Sequence, residues 1–124
     1  MEHVQIVQWL LQTLNQVKVY HWATKSYAAH KALDEFHEKL SELADTFVEM
    51  MMGKMGPIKG GAAIRMEVAT DANPKNVTAF IEAFCDSARS VHKSLATKKA
   101  TELQNILDEM MGLADKTVYL LTLQ

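Results

Sequence analysis

Residues 53–74, GKMGPIKGGAAIRMEVATDANP, hold four of the five glycines and both prolines of this 124-residue chain. Glycine loosens a helix and proline breaks it, so concentrating both in one stretch leaves two long flanks free to be continuous helix. The chain is therefore expected to be all-α with a long connection in its middle. A short helical turn around Ala62 to Val68 is expected within that connection, which has distance to cover.

The flanks carry the period of a helix. From about residue 3 to 22, Val7, Leu10, Leu11, Leu14 and Val17 recur at steps of one, three and four. Four residues further on, the same stripe reaches His21, which should face inward. Ala23 to Ser26 is a very short link with Ser26 as an N-cap, so a second helix over about 27–52 should fold back antiparallel on the first. Tyr20 and Trp22 flank the histidine near this turn. Leu33, Phe36, Leu40, Leu43, Phe47 and Met50 give the second helix its apolar stripe.

Asn73 and Pro74 suit the cap and first turn of a third helix reaching about Leu95, with Val77, Phe80, Ile81, Phe84, Val91 and Leu95 inward. Thr97 is expected to cap a fourth helix, which continues to about Leu121 through Leu103, Ile106, Leu107, Met110 and Val118. No segment reads as a strand and no internal repeat is present. Four helices with one long crossover after the second is the ferritin-like connectivity. Residues 1–124 are expected to form a single domain.

The second helix has another face. His30, Asp34, Asp45 and Glu49 are spaced four, eleven and four residues apart. At about 100° per residue, Asp34 lies about 200° from Phe36, and Asp45 falls within about 20° of Asp34 with Glu49 about 60° beyond it. The polar set thus shares one side, away from the apolar stripe. His37 and Ser41 lie between the two pairs.

These residues are too far apart to hold one ion within a chain, since Asp34 and Asp45 are separated by roughly 16 Å along the axis and metal–ligand bonds are about 2 Å. The residue numbers of His30 and Glu49, and of Asp34 and Asp45, nevertheless add to the same total, 79. Two copies of a helix packed antiparallel about a two-fold axis bring residues of constant sum face to face. His30 would then meet the partner's Glu49, and Asp34 its Asp45, giving two identical sites per dimer.

Taken singly, each of these residues is ordinary: a His and Asp one turn apart is usually a surface pair, and Asp45 and Glu49 beside Glu42 read as a solvated face. The joint geometry, with His21 turned inward nearby, raises them to candidate ligands. Imidazole with several carboxylates suits Fe(II), and also Zn, Mn or Co, whereas structural zinc sites favour cysteine. Carboxylates favour the ferric ion, so the expected chemistry is metal oxidation.

Other motifs fail. His37-Glu38 starts a zinc-protease HExxH, but Ser41 stands at the second histidine position. Ser90 and Lys93 have SxxK spacing without its companion elements, and the glycines lack the Gly-Lys-Ser/Thr of a phosphate loop. Met50, Met51, Met52 and Met55 read as filling of irregular core gaps rather than as a copper or haem site. The net charge of −2 and the lack of a basic tail argue against DNA as a partner. No stretch approaches 18 apolar residues and the N-terminus does not read as a signal peptide, so a soluble, cytoplasmic protein is expected. The one cysteine, Cys85, allows no internal disulfide and fits a reducing compartment.

The His-Trp pair at 21–22, with the histidine and acids that follow, resembles the Dps mini-ferritins of the ferritin-like superfamily. His21, His30, Asp34, Asp45 and Glu49 match that family's ferroxidase ligands, which two chains supply across a two-fold axis. Trp22, Phe36 and Thr46 fit as well. The resemblance implies oxidation of Fe(II) by hydrogen peroxide or oxygen, iron storage, and homo-oligomers up to a twelve-subunit shell, with zinc or another divalent metal as an alternative occupant. It covers about thirty residues. The His21 to His30 interval is three residues shorter than the family's, so the first helix must end differently. The HWATKSYAAHKAL wording is also similar to short ferritin-like proteins encoded in phage and algal-virus genomes. The alternative is a structural or interaction bundle that has the fold without the metal chemistry. A zinc hydrolase is disfavoured because no general base with motif support accompanies the ligands.

Overall fold

A computed structural model describes residues 2–63 and 68–124. Four helices dominate it: α1 (His3–Ala23), α2 (Tyr27–Met55), α3 (Pro74–Leu95) and α4 (Thr101–Leu121), with a single 3-10 turn over Ala96–Lys98 before α4. The molecule is an all-α four-helix bundle with a long connection, residues 56–73, between α2 and α3.

Helix boundaries follow local chemistry. The Ser26 hydroxyl accepts the Ala29 N–H and the Asn73 side chain accepts the Asn76 N–H, so α2 and α3 both start at caps. Glu2 and Gln5 form a reciprocal box at the start of α1. α2 runs about one turn past the expected end because Gly53 is tolerated inside it, and it stops at Gly56, whose φ of 91° suits a residue without a Cβ. Thr97 does not cap α4. It lies within the 3-10 turn, Lys99 adopts a left-handed φ of 51°, and Ala100 precedes α4 without a side-chain cap.

α1 packs on α2, α2 on α4 and α4 on α3, while α1 and α3 touch only lightly. The crossover runs beside α1. Gln8 donates to the Ala63 carbonyl, and the buried Gln16 side chain both donates to the Ala69 carbonyl (2.9 Å) and accepts the Ala69 N–H (3.0 Å). The chain thus climbs from the C-terminal end of α2 toward the C-terminal end of α1, and α3 starts there, parallel to α2. The helical turn expected around 62–68 falls mainly on residues outside those described.

The core draws on all four helices. Val17, Leu33, Phe36, Leu40, Phe47, Ile81, Leu103, Leu107 and Met110 are completely inaccessible to solvent. Phe84 stacks on Trp9 with ring centroids 5.0 Å apart and meets Phe36 edge-on at 6.0 Å, joining α1, α2 and α3. Thr13 and Thr117 are buried without penalty because their hydroxyls donate back to the Trp9 and Leu113 carbonyls. The inward stripe of α1 differs from the expected one: Leu11 is 43% exposed, and Ile6 is buried. Met51 rather than Met50 is the fully buried methionine at the end of α2.

Candidate metal centre

The inward stripe of α1 carries His21 to the helix end, where it is 93% buried against the first turn of α2. Its ring stacks on that of His30, centroids 3.8 Å apart and planes 18° from parallel. Each histidine binds the other's main chain: His21 Nδ1 lies 2.7 Å from the His30 carbonyl and His30 Nδ1 lies 2.8 Å from the His21 carbonyl. A carbonyl oxygen can only accept, so both Nδ1 atoms must carry the proton. In the neutral rings, both Nε2 atoms then hold the free lone pair. Metal-binding histidines are commonly oriented this way, by a hydrogen bond from the other ring nitrogen.

The His21 carbonyl is available for a local reason, while the His30 carbonyl, in the first turn of α2, accepts through its second lone pair. His21 is in the last turn of α1, where main-chain oxygens run out of intrahelical partners. The three-residue link, 24–26, is short enough to press the two helix ends together. The shortened interval between the histidines therefore still leaves the two rings in contact.

Asp34 is one turn beyond His30, with its side chain 58% exposed; its Oδ1 lies 3.8 Å from His21 Nε2 and 3.9 Å from Lys18 Nζ. His37, half-buried on the next turn, has its pKa lowered, first by burial and then by the positive charge of Lys18, with Asp34 opposing. Lys18 escaped the sequence reading because its proximity to Asp34 depends on how α1 lies across α2.

Tyr27 extends the ring column outward, its centroid 6.4 Å from that of His30, and Lys31 Nζ lies 5.6 Å from the Tyr27 centroid.

Asp45 and Glu49 sit on the same outward face of α2, both exposed, further toward its C-terminus. They interact with each other. The Glu49 carboxyl is pushed above its ordinary value by its hydrogen bond to Asp45 and by the negative charge of Asp45. The fold brings His21, His30 and Asp34 near one another and leaves Asp45 and Glu49 as a separate pair. Among the described residues, no three His, Cys, Asp or Glu side chains of one chain converge so as to hold a metal ion.

Cys85 lies outside this region. It is partly buried between α3 and α4, with Sγ 4.0 Å from the Met111 carbonyl, and burial raises its thiol pKa. That environment makes a poor nucleophile or thiolate ligand. Among the described residues, no helix is long and apolar enough to cross a membrane.

Comparison with known proteins finds a relative in Enterobacteria phage T4, the uncharacterized 14.6 kDa protein of the mobD-ri intergenic region. It is 31% identical over 106 residues, covering 84% of this chain and 75% of the phage protein. No solved structure matches. Residues 21–121, from the inward histidine to the end of α4, match DUF5856, a family described as one of unknown function. The chain belongs to the DUF5856 family.

Proposed function

We propose that this protein binds iron and oxidises Fe(II) at sites shared between two copies of the chain, as a ferritin-like ferroxidase. The observation that carries the proposal is the reciprocal histidine lock, which fixes the tautomer of His21 and His30 and leaves both Nε2 lone pairs unused, one of them 3.8 Å from Asp34. A pair of histidines that only joined two helices would not require a carboxylate at that place. The likeness of the His21 to Glu49 stretch to Dps mini-ferritins rests on those residues alone and supports the same reading.

In this reading His21, His30 and Asp34 come from one chain, and Asp45 and Glu49 from the partner. The two-fold packing of α2 on its copy supplies the missing half, since a single chain does not gather the set. Fe(II) is the substrate. Hydrogen peroxide takes one electron from each of two ferrous ions, its O–O bond breaks, and its oxygens leave as water after taking up two protons. The carboxylates stabilise the ferric product by charge, and the imidazoles hold the ion in place. Zinc or another divalent ion suits the same donors. Larger shells and mineral storage are extensions of this proposal.

The test is anaerobic addition of Fe(II), then peroxide, with ferric absorbance followed in the wild type and in Asp34→Ala and Glu49→Ala. Fast oxidation that both variants slow at least about tenfold supports the proposal. If all three proteins match the protein-free rate, the alternative of a structural bundle takes its place.

A further inference from the structure

The outward face of α2 has two large exposed apolar residues: Tyr27 in its first turn, 73% exposed, and Met52 in its last, 40% exposed. They lie about 37 Å apart along the axis, yet within about 20° of each other and of Asp34 and Asp45 around it. Tyr27 stacks toward His30 and has Lys31 Nζ 5.6 Å from its ring, both from α2 itself, and the two apolar side chains stay open to solvent. Their residue numbers also total 79, the same register that pairs His30 with Glu49 and Asp34 with Asp45.

We propose that a second copy of this chain docks on α2 in that register, with Tyr27 of each copy packed on the partner's Met52, so that an aromatic–thioether contact closes both ends of the seam. The inference rests on the shared-site dimer proposed above and adds the contacts that fix its register. An aromatic ring against a methionine sulfur is a favourable pairing at such positions, and a symmetric interface forms it twice.

Charge complementarity favours this occupant. With a total of 79, His30 meets Glu49, and Asp34 meets Asp45 as a like-charged step, where a cation belongs. Sliding the partner by seven residues would set Tyr27 against Asp45 and Asp34 against Glu38, and would carry Met52 past the end of its partner helix. That alternative buries a carboxylate against a ring and leaves a thioether in water. Tyr27 also stacks toward His30, so the apolar closure is continuous with the histidine pair.

The test is disulfide trapping. In a Cys85→Ser background, the double variant Tyr27→Cys/Met52→Cys is oxidised and its mass read under non-reducing conditions, with each single cysteine variant as control and circular dichroism as the check on folding. The expected result is a covalent dimer from the double variant alone, with Tyr27→Ser and Met52→Ser each weakening the wild-type dimer at least about tenfold by sedimentation. A monomeric wild type overturns the proposal, as does a dimeric wild type whose folded double variant fails to cross-link. Cross-linking without iron oxidation upholds the seam and removes only the ferroxidase reading. Iron oxidation without cross-linking does the reverse.

Discussion

His21 and His30 each occupy the other's main-chain carbonyl, at 2.7 and 2.8 Å, so the end of α1 and the start of α2 are pinned by two hydrogen bonds running in opposite directions. The arrangement links fold to chemistry, because the bonds that hold the hairpin also choose which ring nitrogen is free. His21 is buried and His30 is exposed, so the two are not equivalent in stability. His21→Ala is expected to cost about 2–3 kcal/mol, through a cavity and an orphaned partner, and His30→Ala about 1 kcal/mol. Urea denaturation measures both. Equal costs would mean that burial of the His21 ring contributes nothing beyond its hydrogen bond.

The Asp45 and Glu49 pair sets a pH dependence. Glu49 keeps its proton to higher pH in the folded chain than when unfolded. Its contribution to stability is therefore fully present below the ordinary glutamate range and is lost as pH rises through the raised value. A metal ion must displace the same proton, so metal affinity should fall as pH drops through that range. Asp45→Asn removes the neighbouring charge and should return Glu49 toward an ordinary value. Carboxyl chemical shifts followed across pH, with a metal titration at each point, check both directions.

How much of this was legible in the sequence follows from range. Ser26, Asn73 and the inward turn of His21 depend on residues within a few positions, and each was readable from spacing. Thr97 was misread because the left-handed Lys99 inserts a 3-10 turn, and nothing in ATKKAT announces that conformation at a lysine. Leu11 fits the apolar period of α1 but faces outward, since the period cannot say how wide a stripe the neighbours cover. The histidine lock and the approach of Lys18 to Asp34 were not readable, because both need two helices at a definite crossing. The spacing of Asp45 and Glu49 was plain, yet a meeting with His30 or Asp34 needs a second chain.

Phe84 should be the most sensitive core position. It contacts Trp9 on one side and Phe36 on the other, and so joins α3 to both helices of the hairpin. Phe84→Ala is expected to cost about 3–5 kcal/mol, a large share of the 5–15 kcal/mol typical of a whole domain. Phe84→Leu should keep most of that. Thermal unfolding of the two variants side by side separates lost volume from lost ring contacts.

Gln16 anchors the crossover with both ends of its amide, binding the Ala69 carbonyl and N–H from a buried position on α1. Gln16→Ala removes both bonds and should destabilise the fold by about 1–3 kcal/mol. Amide exchange should accelerate first at Ala69, before the helices are affected. If the helices and Ala69 accelerate together, the crossover is not an independently opening unit.

Lys18 competes with any cation for Asp34. Its Nζ is 3.9 Å from Oδ1, and a bound metal would have to share that carboxylate or displace the ammonium. At this separation in a solvent-exposed setting, the interaction of two unit charges is about 1 kcal/mol, and salt reduces it further. Lys18→Met keeps the apolar stem and removes the charge, so divalent-metal binding should tighten by up to about fivefold, with the larger gain at low ionic strength. Isothermal titration with Zn(II) or Mn(II) at two salt concentrations reads this directly. Weaker binding in the variant would give Lys18 the opposite role, that of holding Asp34 in its productive rotamer.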